Sequence, residues 1–361
     1  MDKIIYLDNA AGTRLYPEVI ESMTNVMTNH WGNASSSNSM GDVARLLIEN
    51  VRQQIADDIN AEPDEIIFTS GACEANSLAL YRKTKSVYTS TIEHASIRAI
   101  PHVHPIYGTD NQGFVNLDGV FDYETVSIIA ANGEIGTIQD IKSLAAKLHK
   151  KNETIFHTDA TQLFGERRID VKEMGIDAMS VSAQKFHGPR GVGFLYHSKE
   201  WAVSPIIHGS QERNRRGGTY NTAGIVGMGK ALELTRKRDT SGYVGALRNE
   251  LLDKLLQIPG THLNGAPVGP HRLVNNINLT IDGVDSSKLV TLCNLHGIII
   301  AKGAACQSYM PKPSSTLKAI GLSDEQAFNT VRITLDEFNT VQEIDEAAHI
   351  ITKLVERIRN E

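Results

Sequence analysis

Asp177-Ala178-Met179-Ser180-Val181-Ser182-Ala183-Gln184-Lys185-Phe186-His187-Gly188-Pro189-Arg190-Gly191-Val192-Gly193 decides how this chain is read. Its first six residues form a short run of small and apolar side chains suited to a buried strand. A turn rich in Gly and Pro follows, and a second strand pattern opens at Val192. Lys185 is thereby held between rigid elements with little room to wander, and a lysine fixed in this way can form a Schiff base. Gly188, Gly191 and Gly193 keep a GxxGxG spacing, but they run into a strand rather than a helix, which excludes a dinucleotide-binding turn.

Comparable apolar runs at 65–69, 86–90, 126–131, 154–158 and 192–196 alternate with helical patterns such as 140–150. That alternation predicts an α/β unit with a mostly parallel sheet. After a helix at 222–238 the character changes. An amphipathic helix at 243–256 is followed by strands at 274–281, 297–301 and 330–335. A terminal helix then carries Ile344, Ala347, Ile351, Leu354 and Ile358 close to helical period. A domain boundary is therefore placed near residue 240. Internal repeats and low-complexity segments are absent from the sequence, so the fold must come from the order of elements.

The 361 residues suffice for one large and one smaller domain, with a core that needs neither disulfides nor a structural metal. Lys and Arg number 36 against 42 Asp and Glu, a net charge of −6, which gives no global pull toward nucleic acid or anionic lipid. The first residues enter strand-like sequence at once and no apolar run approaches the length of a membrane span, so a soluble, cytoplasmic protein without a membrane partner is expected. Cys73, Cys293 and Cys306 are too few and too scattered for a disulfide framework or a Cys-x-x-Cys centre. His102 and His104 flank Val103 in a Pro-containing stretch and are read as loop histidines, so no metal site is expected.

Two further stretches carry chemistry. In Ile66-Ile67-Phe68-Thr69-Ser70-Gly71-Ala72-Cys73-Glu74-Ala75-Asn76 a strand runs through small residues into a helix, so free N–H groups and the positive helix end converge as a phosphate site requires. Taken alone, an ordinary strand-to-helix turn fits equally well. In Phe156-His157-Thr158-Asp159-Ala160-Thr161-Gln162 an aspartate ends a strand, where α/β sheets build their sites. A carboxylate there could hold the pyridine nitrogen of pyridoxal phosphate protonated, and Lys185 is the second feature that lifts Asp159 above a capping role. Cys306 lies in Lys302-Gly303-Ala304-Ala305-Cys306-Gln307-Ser308-Tyr309-Met310-Pro311-Lys312-Pro313, expected to form an exposed loop before a helix beginning near Ser314, with Lys302 placed to lower its pKa. Cys73 and Cys293 are by default small apolar fillers.

Taken together, these stretches resemble the cysteine desulfurases of the class V aminotransferase fold, in the NifS-IscS-type subgroup with a long catalytic loop. The resemblance spans essentially the whole chain. It includes Tyr6-Leu7-Asp8-Asn9-Ala10-Ala11, Gly32-Asn33-Ala34-Ser35-Ser36, Ile92-Glu93-His94 and Asn132-Gly133-Glu134-Ile135-Gly136-Thr137. It continues through Arg216-Gly217-Gly218-Thr219, Gly303-Ala304-Ala305-Cys306 and Val331-Arg332-Ile333. It implies the fold type I architecture of pyridoxal-phosphate-dependent aminotransferases: residues 16–240 as a large cofactor-binding domain, and 241–361 as a smaller α+β domain carrying the cysteine loop. Residues 1–15 would pack with the small domain.

The resemblance also implies roles. Lys185 would hold the cofactor covalently, Asp159 would pair with the ring nitrogen and Gln162 with the ring hydroxyl, while His94 would stack on the ring and shuttle protons. Ala72, Cys73, Ser182 and Gln184 would lie near the phosphate, with Thr219 supplied by the partner subunit of a homodimer. Asn9, Ala10, Asn132 and Arg332 would face the substrate, L-cysteine, Arg332 offering its carboxylate two parallel donors. Cys306 would take the sulfur as a persulfide, leaving L-alanine, and pass it to an acceptor protein serving iron-sulfur cluster assembly, tRNA thiolation or DNA phosphorothioation. A selenocysteine lyase or aminotransferase on the same fold, and a cofactor-free scaffold, are the competing readings. The chain departs from the pattern at Cys73 (usually Thr), Gln184 (usually His), Gly133 (usually Asn), Asn38 (usually His) and Asp336-Glu337 (usually Gly-Arg).

Overall fold

Seven apolar runs pair into one sheet, in the spatial order Ile66–Thr69, Gly193–His197, Ala178–Ser182, Ile155–Asp159, Thr125–Ser127, Val87–Ser90, Val103–Tyr107. The computed structural model describes residues 4–81, 86–117, 124–150, 154–303 and 312–361. From Ala178–Ser182 outward to Val103–Tyr107 every neighbouring pair is parallel. Gly193–His197 runs antiparallel to both of its neighbours. The Lys185 turn dictates this, because a connection without a crossover helix can only return antiparallel. Both faces of the sheet are covered. Ile66, Phe68, Met179, Val181, Phe194 and Tyr196 enter one core, and the alternate residues Ile67, Ala178 and Leu195 enter another.

Helices Pro17–Asn29 and Ser39–Ile59, which the sequence patterns did not single out, pack with Thr222–Lys237. Asn38 caps the second of them, its Oδ1 accepting from Gly41 N at 3.0 Å, which gives that departure from the family pattern a local purpose. His104 belongs to the strand Val103–Tyr107, not to a loop as expected. That strand lies at the sheet edge, where Pro105 withholds no ladder bond from a further neighbour. His102, at φ 66°, makes the turn before it.

The C-terminal part forms a four-stranded antiparallel sheet in the order Ala301–Lys302, Thr330–Thr334, Asn276–Ile281, Thr261–Leu263. The strand expected at 297–301 is split. Ile298–Ile299 pairs in parallel with Ile5–Tyr6, and Ala301–Lys302 joins the larger ladder. Ile5 and Leu7 consequently share a core with Leu251, Ile277, Leu289, Ile333 and Ile351. Helix Val341–Asn360 opens on a capping box between Thr340 and Glu343 and buries Ile344, Ala347, Ile351, Leu354 and Ile358. Among the described residues no helix is long and apolar enough to cross a membrane.

Candidate active site

Strand Ala178–Ser182 feeds a single 3-10 turn, Ala183–Lys185, which delivers the lysine to residues near the chain's start. Lys185 Nζ donates to Ala10 O at 2.6 Å and Ala11 O at 2.8 Å. Burial, helped by the Arg332 charge, pulls this amine down to about 8. Near neutral pH an appreciable fraction is therefore uncharged, as a nucleophilic amine must be.

Asp159 ends the Ile155–Asp159 strand and is 4% exposed. Its Oδ2 accepts from Asn76 Nδ2 at 2.8 Å and its Oδ1 from Thr161 N at 3.0 Å, both neutral donors. Two titratable groups near it, His157 and Glu93, are shifted toward their neutral forms. His157 spans Ser127 Oγ and Ser180 Oγ at 2.8 and 2.9 Å, and burial pulls it down to about 4. Glu93, bonded to Ser90 Oγ and Ile129 N, is pushed up to about 8 by burial. A buried carboxylate with neutral partners fits a cationic ring N–H, which would supply the missing counter-charge.

The turn expected to take a phosphate passes from strand Ile66–Thr69 into helix Ala72–Leu80. The N–H groups of Ala72 and Cys73 belong to its first turn and have no intrahelical acceptor. Ser182 Oγ lies beside the turn, 3.4 Å from where a Cβ on Gly71 would stand. Glu74 takes the Ser70 N–H at 2.7 Å, and Arg216 pairs with its carboxylate at 2.7 Å, offsetting a negative charge beside the turn. Cys73 is exposed. Thr219, also exposed, lines a cleft with Thr69 and Ser70. Gln184 is tied in through its peptide oxygen, which accepts from Thr13 N and Oγ1 at 3.0 and 3.1 Å. Lysine, buried carboxylate and free N–H groups together make a donor set that fits pyridoxal phosphate.

Facing them, Arg332 Nη2 pairs with Asp8 Oδ1 at 2.7 Å, and Nη1 donates to Gly133 O at 3.3 Å. Arg332 Nε and Asn9 Oδ1 are buried without a partner. Ala10 O, already bonded to Lys185, also accepts from Gln162 Nε2 at 3.1 Å. A Cβ at position 133 would come within 2.7 Å of Gln162 Cδ, so glycine there lets Gln162 close over the turn. Asn132 turns inward instead of presenting its amide: Oδ1 accepts from Glu134 N and Ile135 N, and Nδ2 donates to Ile92 O. His94 is exposed and its Nδ1 meets Ser96 N at 3.2 Å, capping a short helix. Cys306 lies outside the described residues.

Residues 5–347 match the family model for aminotransferase class-V. The chain belongs to the class-V aminotransferases. Cysteine desulfurase IscS from Methanosarcina thermophila is 37% identical over 386 residues, covering 99% of this chain and 94% of that one. A NifS-like protein from Rickettsia africae superposes with a TM-score of 0.89 at 32% identity, covering 99% and 100% of the two chains. SspA in complex with cysteine gives 0.79 at 29% identity, covering 93% and 99%. Class-V aminotransferases are generally dependent on pyridoxal phosphate.

In this class-V aminotransferase, the parts played by Asn76, His157 and Glu93 around Asp159 are not legible in the motifs themselves. Asn76 is wholly buried and clamps Asp159 while also donating to Ser96 Oγ at 3.0 Å. Its signal in the sequence is a polar residue one turn into an otherwise small and apolar helix face. His157 and Glu93 had no signal beyond their place in strand-end motifs.

Proposed function

We propose that this class-V aminotransferase is a cysteine desulfurase that binds pyridoxal phosphate through Lys185 and moves sulfur from L-cysteine to Cys306. The observation that carries the proposal is the convergence of Lys185, Gln162 and Arg332 on the segment from Asp8 to Ala11. When bound, pyridoxal phosphate supplies an electron sink for bonds at the substrate's Cα. Asp159 would keep the ring nitrogen protonated, and Ala72, Cys73 and Ser182 would hold the phosphate. Arg332 would exchange Asp8 for the substrate carboxylate, and the lowered pKa of Lys185 lets its amine take and return a proton. In the transfer itself an S–S bond forms between Cys306 and the substrate sulfur as the substrate's Cβ–S bond breaks. The carbon retains the electron pair, takes a proton and leaves as alanine, so no external oxidant or reductant is needed. The division at 16–240 and 241–361, the homodimer with Thr219 crossing between subunits, and an acceptor protein for the sulfur belong to the same proposal.

Purified protein given pyridoxal phosphate, L-cysteine and a thiol reductant should release alanine and sulfide in equal amounts. 3-Mercaptopyruvate with an aminated cofactor would sink the proposal in favour of transamination, and pyruvate with sulfide and ammonia would sink it in favour of β-elimination. Arg332→Ala should lower kcat/KM for cysteine by about 2 to 4 kcal/mol, roughly 30- to 1000-fold, because a charge-assisted paired contact is lost. A change of only a few-fold would mean that another residue anchors the carboxylate.

A further inference from the structure

Glu134 is a buried acid that the chemistry above leaves without a task. It is 6% exposed, sits in the turn after Asn132, and accepts at Oε2 from Ser314 Oγ at 2.8 Å. Its other oxygen faces Gly303: a Cβ there would come within 2.7 Å of Oε1. Gly303 and Ser314 flank residues 304–313, so the chain leaves and returns at a single carboxylate. Beside it, Ile135 packs with Leu317 and Ile320 of the segment that follows Ser314. Arg98, four residues after His94, donates to Ser315 Oγ at 2.6 Å.

The turn that carries Glu134 is itself wired to the candidate site. Gly133 O accepts from Arg332, Gly133 lies under Gln162, and Glu134 O accepts from Asn276 Nδ2 and Asn278 Nδ2 at 3.2 and 3.1 Å. Packing alone would not call for an acid here, since a carboxylate is costly to bury unless its oxygens are used. One oxygen is bonded to Ser314 and the other stands against Gly303, which leaves the base of the stretch between them little freedom to shift.

We infer that Glu134 is a positioning residue for sulfur transfer: its carboxylate bonds Ser314 and stands against Gly303, so the two residues that flank the segment containing Cys306 meet at the turn shared by Arg332 and Gln162. This rests on the desulfurase proposal and deepens it. Glu134 touches neither substrate nor cofactor; it sets where the base of the segment stands relative to the anchored cysteine. A misplacement of about 1 Å in a reacting group is enough to slow a step by roughly 100-fold.

The test uses the holoenzyme and three readouts: the cofactor spectrum, the spectral titration with L-cysteine, and single-turnover formation of the Cys306 persulfide. Glu134→Ala should leave the first two within about twofold of wild type and slow persulfide formation about 10- to 100-fold. Glu134→Gln keeps the volume and an oxygen for Ser314, and should restore most of the rate. Gly303→Ala, which pushes a methyl against the carboxylate, should slow transfer in wild type yet add little to Glu134→Ala, because both act through the same contact. This variant also serves if Glu134→Ala fails to fold. A wild-type persulfide rate in Glu134→Ala, a Glu134→Gln as slow as Glu134→Ala, or a parallel loss of cofactor and cysteine binding would each overturn the inference. If wild type itself forms no persulfide on Cys306, the desulfurase proposal falls first and this inference with it.

Discussion

Lys185→Ala, purified with pyridoxal phosphate, is expected to lose the visible absorbance of a lysine-linked cofactor and to lose alanine formation by roughly a thousandfold or more. The expectation follows from how the amine is held. Its partners are the peptide oxygens of Ala10 and Ala11, and burial with the Arg332 charge brings it down to about 8. Among the described residues that line the cleft beside it, Lys185 is the one lysine, so no second amine there can take over. Alanine removes a desolvated, partly charged group, so the fold should not suffer. Far-UV dichroism and the melting temperature of the cofactor-free variant should stay near those of cofactor-free wild type. The decisive measurement is borohydride trapping followed by peptide mapping. A variant that still traps cofactor covalently would show that another amine carries it.

The parts of this fold that could be read from sequence are those where local pattern and tertiary placement agree. Strands buried on both faces read as apolar runs, and 177–182 and 192–196 appear as Ala178–Ser182 and Gly193–His197, each displaced by one residue or less. Val103–Tyr107 was missed because Pro105 and two histidines argue for a loop unless one knows that the strand has a neighbour on one side alone. The strand at 297–301 was expected whole because its break comes from two different partners, Ile5–Tyr6 and Thr330–Thr334, that lie far away in the chain.

The candidate site divides in a similar way. Asp159 and Lys185 stand at strand ends, where chemistry gathers in α/β sheets, so each could be singled out from its own few residues. Asn76 carries only the mark of a polar residue on an apolar helix face, and neither it nor Glu134 shows its partner locally. The first matters through Asp159, 83 positions on, and the second through Ser314, 180 positions on. Asn132 shows the converse: its motif suggested a contact with substrate, while its amide is engaged within its own turn and with Ile92 O. Motifs name the residues at a site, but which atom of each is free is settled by the neighbours the fold supplies.

Cys306→Ser is expected to keep the cofactor spectrum and the spectral response to L-cysteine, and to lose the protein-bound persulfide. Cofactor linkage and substrate binding are assigned to Lys185, Asp159 and Arg332, none of which changes in this variant. Transfer, by contrast, needs a thiolate, and a serine hydroxyl is far too weak an acid to replace it, so the loss should be roughly a thousandfold or more. Chemistry also separates the three cysteines. Cys293 is wholly buried on helix Ser286–Leu295 and burial pushes its thiol up to about 12, which leaves almost no thiolate near neutral pH. Cys73 is exposed, but it stands in the first turn of the helix assigned to the cofactor phosphate. Mapping the persulfide by alkylation and mass spectrometry therefore discriminates between Cys306 and Cys73 directly. If the label sits on the Cys73 peptide, or if Cys306→Ser still forms alanine and a protein persulfide at the wild-type rate, sulfur leaves by another route and the assignment of Cys306 is wrong.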